Sequence, residues 1–184
     1  LPELPDARCQ RFTSDFKLSQ LEAELLTSDR ELADYFEQTV SACRDSRNAA
    51  NWITGELMAH LNRDGLRFKE SRVTPQMLGD LIAKINNNSI SGKIAKDVFD
   101  SMWKGEGNAS EIISARNLEQ ISDADEIKRV IDDVTNNYVQ QVMQYRNGQE
   151  KVFGFLVGKV MQATEGKANP KIVNKILRDK LSGE

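Results

Sequence analysis

The stretch Phe153-Gly-Phe-Leu-Val-Gly-Lys-Val-Met-Gln-Ala-Thr-Glu-Gly166-Lys-Ala-Asn-Pro170-Lys-Ile-Val-Asn-Lys-Ile-Leu-Arg-Asp-Lys-Leu181 spells two helices and the turn between them. From about Glu150 to Thr164 the chain is apolar almost all round, the pattern of a helix in the middle of a small bundle. Gly166 stands where a helix end takes a left-handed residue. Asn169 is a good N-cap, and Pro170 takes the first helical position, where a missing N–H does no harm. Ile172, Val173, Ile176, Leu177 and Leu181 then fall on one side of the second helix, while Lys171, Lys175 and Arg178 recur at i, i+4 and i+7 on the other. One face packs and the other is cationic.

Working outward, the same signals recur. Thr27-Ser28-Asp-Arg-Glu31 reads as the capping-box start of a helix bearing Leu32, Tyr35, Phe36 and Val40. Ala49, Ile53, Leu57 and Leu61, with Trp52 beside them, mark another that ends near Asn62-Arg-Asp-Gly65. Thr74-Pro75 opens a helix carrying Leu78, Leu81, Ile82 and Ile85. Ser91 opens the next, with Ile94, Val98, Phe99 and Met102 inward and Gly105 as its stop. Ser110 to Ala115 is one short helix more. Ser122-Asp-Ala-Asp125 is a second capping box, before a core face of Ile127, Val130, Ile131 and Val134, and a helix over Val139 to Arg146 precedes the terminal pair. No segment alternates strongly enough for a sheet, and no repeat is visible. The fold class is all-α, a helical bundle connector domain followed by a small helical tail domain.

Composition agrees. Of 184 residues 29% are charged and 39% hydrophobic, which suits a globular helical protein of one large or two small domains. No apolar run is long enough to span a bilayer and no leader pattern is present, so no membrane is expected and the default setting is cytoplasmic. Leu1 is not an initiator methionine and Leu1-Pro-Glu-Leu-Pro5 reads as a rigid lead-in, which predicts a piece of a longer polypeptide whose front part holds the chemistry. An extended lead-in is expected over residues 1–12. Cys9 and Cys43 lie far apart, with no CxxC and no histidine nearby, and read as reduced thiols. Residues 151–184 hold seven Lys/Arg against three Asp/Glu, and the rest of the chain 18 against 25, so an acidic body ends in a basic tip.

Candidates for catalysis are thin. His60, the single histidine, sits between Ala59 and Leu61 and reads as structural. Gly105-Glu-Gly107-Asn-Ala-Ser110 is a broken G-x-G-x-x-G with no strand before it, hence a hinge. Asp123, Asp125, Glu126, Asp132 and Asp133 fit helix capping, and no calcium-loop spacing, so no metal is expected. Trp52 and Trp103 read as core. What remains is a binding surface: Lys167 and Lys171 flank the N-terminus of the last helix, and Lys159, Lys175 and Arg178 extend a platform for phosphates. An ordinary solvated lysine face is the other reading. Gly154 and Gly158 each cost a helix interior roughly 1 kcal/mol relative to alanine, so something needs the missing side chains: a close helix crossing, or the close approach of an RNA backbone.

The string Gly154-Phe-Leu-Val-Gly158-Lys-Val-Met followed by Gly166-Lys-Ala-Asn-Pro170-Lys resembles the C-terminal tail of the B subunit (GatB) of the aspartyl/glutamyl-tRNA amidotransferases and the related YqeY-like proteins. Leu1-Pro-Glu-Leu-Pro5, Ala33-Asp-Tyr-Phe-Glu37, Asn51-Trp52, Ile90-Ser-Gly-Lys-Ile-Ala-Lys96 and Gln120-Ile-Ser-Asp123 continue the resemblance in the same order. It departs at Asn136-Asn-Tyr138, where the family usually has Asn-Pro-Lys, and at Gln149, where a lysine is common. The resemblance implies a helical domain over residues 1–116 and a tRNA-binding tail domain over 117–184. It also implies a heterotrimeric, glutamine-dependent ligase that converts Glu-tRNA(Gln), Asp-tRNA(Asn) or both to Gln-tRNA(Gln) and Asn-tRNA(Asn). ATP and magnesium would belong to a front domain outside these residues, and the partners would be the amidase subunit, the small third subunit and tRNA. The residues at hand are then expected to hold no catalytic site or cofactor, with Gly154, Gly158, Lys159, Lys167, Lys171, Lys175 and Arg178 facing tRNA. A non-catalytic module docking a synthetase or another subunit of the enzyme is the alternative.

Overall fold

The computed structural model describes residues 3–183. Among them the chain is all-α: α1 (Pro5–Asp15), α2 (Gln20–Thr27), α3 (Arg30–Cys43), α4 (Ser46–Trp52), α5 (Met58–Asp64), α6 (Pro75–Asn86), α7 (Gly92–Trp103), α8 (Ala109–Ala115), α9 (Ala124–Asn137), α10 (Val139–Arg146), α11 (Val152–Ala163) and α12 (Pro170–Ser182). Two compact units divide it. The first comprises the described residues up to Asn87 together with Ala95–Ala115, and the second Asn88–Ile94 together with the chain from Arg116 onward.

In the first unit, the expected extended lead-in is corrected by α1. Pro5 sits at the head of that helix behind an extended Leu4, and Phe12 is fully buried in a triad with Phe16 and Phe36, ring centroids 5.0–5.2 Å apart. Proline before a helix fixes the φ that the first turn needs, so it starts α1 as readily as it stiffens a lead-in. Residues 1 and 2 lie outside the described residues. Arg8 pairs with Asp34 (2.6 Å) and Glu37, and Arg11 bridges Glu3 and Glu37 (both 2.6 Å), tying α1 to α3. The Glu3 hydrogen bonds are the main cause that drives the Arg11 pKa upward. Sequence reading passed over α2, which Ser19 and Glu22 close in a reciprocal capping box. Thr27 ends α2, so the start of α3 moves to Asp29, whose carboxylate accepts from the Leu32 N–H.

The unit's main seam is α3 against α6. A Cβ built on Gly79 of α6 would lie 2.4 Å from the Ala42 Cβ of α3 and 3.1 Å from the Thr39 carbonyl oxygen, so glycine alone fits this crossing. Between α4 and α5 the helix opens into one π-turn, Ile53–Leu57. The turn answers a feature of the sequence. Ala49, Ile53, Leu57 and Leu61 repeat every four residues, and in a plain α-helix each such step overshoots a full turn by about 40°. The wider i→i+5 turn absorbs the excess, and all four residues are buried.

His60 is a buried structural residue: Nε2 lies 2.6 Å from Asp100 Oδ1, Nδ1 lies 2.8 Å from the Glu56 carbonyl, and Phe99 and Trp103 flank the ring. Trp103 is buried, and its indole N–H donates to Asp64 Oδ2 at 2.8 Å. Hydrogen bonds from Arg63 and then Trp103 hold the Asp64 carboxyl at about 2. Cys9 and Cys43 are free and half-buried. Gly105 and Gly107, the expected hinge, have φ of +80° and +133°.

Candidate nucleic-acid interface

The second unit packs α9, α10, α11 and α12 around Ile127, Ile131, Val134, Val142, Leu156, Val160, Ala168, Val173, Leu177 and Leu181. Asp123, one residue later than the expected Ser122, caps α9 by accepting from the N–H groups of Asp125 and Glu126. That use accounts for an acidic residue that a metal reading would have claimed. Among the described residues no group of three or more His, Cys, Asp or Glu side chains could hold a metal ion, and no helix is long and apolar enough to cross a membrane.

The α11–α12 turn is built as its residues dictate. Glu165 and Gly166 are both left-handed, with φ of +54° and +77°. Pro170 opens α12 behind Asn169. The turn is also pinned from outside, because Ile121 pairs with Ala168 in an isolated parallel bridge (Ile121 N–H to Lys167 O, 2.8 Å; Asn169 N–H to Ile121 O, 2.9 Å). Ser91 Oγ adds a hydrogen bond to Gly166 O at 3.4 Å, and the Gln120 N–H donates to Ser89 O at 2.7 Å. These ties set where α12 begins and therefore where its side chains project.

The seven expected site residues do not share one fate. Gly154 and Gly158 are exposed, and a Cβ on either would meet nothing within 4 Å. A close helix crossing is therefore not what they serve. Nor is α11 surrounded by protein, since Leu156 and Val160 are its fully buried side chains and Phe155 is 42% exposed. Its all-round apolar pattern arises because glycines, which carry no side chain, and one exposed ring occupy the outer face. Lys167 is withdrawn, with 20% of its side chain exposed and Nζ 3.5 Å from Glu165. Lys171, Lys175 and Arg178 are exposed along one side of α12, and among the described residues none of the three has a carboxylate partner. The Arg178 guanidinium lies 4.9 Å over the Phe153 ring. Lys180, further round, is neutralised by Asp132.

At the expected anion site, the α12 N-terminus, the chain itself takes up part of the first turn. Asn169 Oδ1 accepts from the Lys171 N–H, the Val173 N–H goes to the Asn169 carbonyl, and Pro170 has no N–H to offer. The Lys171 side chain stands exposed beside this capped helix end. Sequence reasoning missed the aromatic residues beside these cations. Lys159 Nζ lies 5.4 Å from the centroids of both Tyr138 and Phe155, which meet edge to face at 5.4 Å, and Tyr145 backs Phe153 at 5.8 Å. An exposed phenylalanine between two glycines, Gly154-Phe155 with Gly158 one turn on, was the available signal.

The second unit is thus a small helical unit whose α12 edge carries three cations with no carboxylate partner among the described residues, beside bare helix backbone and cations set close to aromatic rings. The chain belongs to the GatB domain family, which matches residues 34–181. It is 49% identical over 98% of its length to the B subunit of the aspartyl/glutamyl-tRNA(Asn/Gln) amidotransferase of Hydrogenovibrio crunogenus. It is 46% identical over its whole length to the proteins of the same description in Trichlorobacter lovleyi and Halorhodospira halophila. In each case it spans 38% of the relative's length.

Proposed function

We propose that the second unit binds tRNA for an amidotransferase in which this chain forms part of the GatB subunit. In that reading the complete enzyme, assembled with the amidase subunit and the small third subunit in the cytoplasm, converts Glu-tRNA(Gln), Asp-tRNA(Asn) or both to the amidated forms. ATP and magnesium act in a front domain that these residues do not include. The first unit serves as connector and the second as a clamp on the outer corner of the tRNA. A tRNA corner is recognised chiefly by shape, so contacts go mainly to phosphate and ribose.

The observation that carries the reading is the edge of α12, where Lys171, Lys175 and Arg178 stand in line without an acid partner among the described residues while the neighbouring Lys167 and Lys180 are paired. Membership of the GatB domain family supports it. Lys171→Glu combined with Lys175→Glu is expected to weaken tRNA binding several-fold or more, to leave the helical circular-dichroism spectrum intact, and to flatten the dependence on salt by close to one unit of slope per lost contact. A charge-reversed chain that keeps both affinity and slope overturns the platform and leaves a carboxylate-rich protein surface as the partner of these lysines.

A further inference from the structure

We infer that Phe155, Tyr138 and Lys159 form a stacking site for an unpaired nucleobase, separate from the phosphate-binding edge of α12; the inference rests on the tRNA reading above. Tyr138 meets Phe155 edge to face at a centroid distance of 5.4 Å, which holds the ring, and Phe155 still keeps 42% of its surface open. Lys159 stands 5.4 Å from both ring centroids, its Nζ bonded to Gln162 Oε1 at 3.3 Å, and among the described residues no carboxylate neutralises it. The result is an exposed aromatic face with a fixed cation at its border.

Gly154 and Gly158 make that face reachable. They lie one turn apart on α11, next in sequence to Phe155 and Lys159, and nothing in the fold fills the space their side chains would take. Two glycines inside a helix weaken it by roughly 1 kcal/mol each relative to alanine. A flat strip of bare backbone beside an open ring admits a ribose-phosphate chain at close range and lets its base turn onto the ring. Any base has a π-face, and Lys159 is placed to meet the adjoining phosphate. An apolar protein segment would gain from the ring too. It would have no use for a cation without a carboxylate partner among the described residues, 5.4 Å from two ring centroids, and that charge complementarity favours RNA. Duplex RNA offers no free base face, so the occupant is a looped-out or single-stranded nucleotide.

The test measures tRNA affinity of the chain and of four variants at fixed salt, with thermal melting beside it. Phe155→Ala is expected to weaken binding about tenfold, the size seen when base-stacking rings are truncated, with the salt slope unchanged. Phe155→Trp restores or exceeds the parent affinity, whereas Phe155→Leu, which keeps apolar bulk without a π-face, binds as poorly as Phe155→Ala. Should Phe155→Ala melt early, the Leu and Trp pair still decides. Equal affinity for the parent, Phe155→Leu and Phe155→Trp overturns the stacking site. If the fourth variant, carrying Lys171→Glu and Lys175→Glu, loses affinity in that same experiment, the tRNA reading survives. A parent chain without measurable tRNA affinity overturns both.

Discussion

Gly79 in α6 and the pair Gly154 and Gly158 in α11 all sit inside helices and carry the same helix penalty, yet their surroundings are opposite. At Gly79 a Cβ would strike Ala42 at 2.4 Å, while at Gly154 and Gly158 it would meet nothing. One glycine lets two helices of the same chain close upon each other, and its benefit is returned in folding. The other two leave a helix weaker than alanine would, with no packing return among the described residues. A helical glycine is thus to be judged by what stands opposite it: at Gly79 that is protein, which makes it a packing residue, and at Gly154 and Gly158 nothing in the described fold calls for the missing side chain.

The comparison is broken most directly at Gly79. Gly79→Ala is expected to destabilise the chain by about 1–3 kcal/mol, as overpacked sites do, because Thr39 and Ala42 cannot both withdraw. Adding Ala42→Gly should recover part of the loss in a urea melt. If Gly79→Ala melts like the parent, α3 and α6 do not cross as closely as described. A smaller effect of opposite sign is expected at the other end. Gly154→Ala with Gly158→Ala should stabilise α11, by roughly 0.5–1 kcal/mol per site, while lowering tRNA affinity. The same pair losing stability would place unseen protein against that face.

Capping at α12 was legible because Asn169, Pro170 and Gly166 act on their own neighbours, and hydrogen-bond chemistry within four residues is written in sequence. The partition of the lysines was legible only in part: Glu165 stands two residues before Lys167, whereas Asp132, which neutralises Lys180, lies on another helix 48 positions earlier. The ring beneath Arg178 and Tyr138 beside Lys159 likewise come from elsewhere in the chain, while Phe155, one turn before Lys159, was open to a local reading. The role of Gly79 depends on a residue 37 positions earlier in the chain, Ala42, and no local pattern announces it. Pro5 misled because proline opens helices and stiffens loops by the same fixed φ.

The finest test of the contrast uses acid. The Asp64 pKa is depressed from 3.8 to about 2 by its hydrogen bonds to Arg63 and Trp103. A carboxyl so depressed contributes stability that is complete above its unfolded value and fades as pH falls through its folded one. Between pH 4 and 2 the first unit should therefore lose a contribution that Asp64→Asn removes at every pH. Melting curves of the two chains that differ by a constant amount across this window would contradict the assignment.

The π-turn at Ile53–Leu57 gives this helix a residue it can lose. A gene carrying an in-frame deletion of one codon there, at a position such as Gly55 that bears no core side chain, would encode an ordinary α-helix with every apolar residue kept. The turn holds one residue more than the α-helical count, so the core spacing would become four, three and four, about three full turns, and Leu61 would keep its face with His60 and Asp64 still beside Asp100 and Trp103. A second deletion would rotate everything downstream by about 100°. Lineages that agree in count on either side are therefore expected to differ here by one residue and no more.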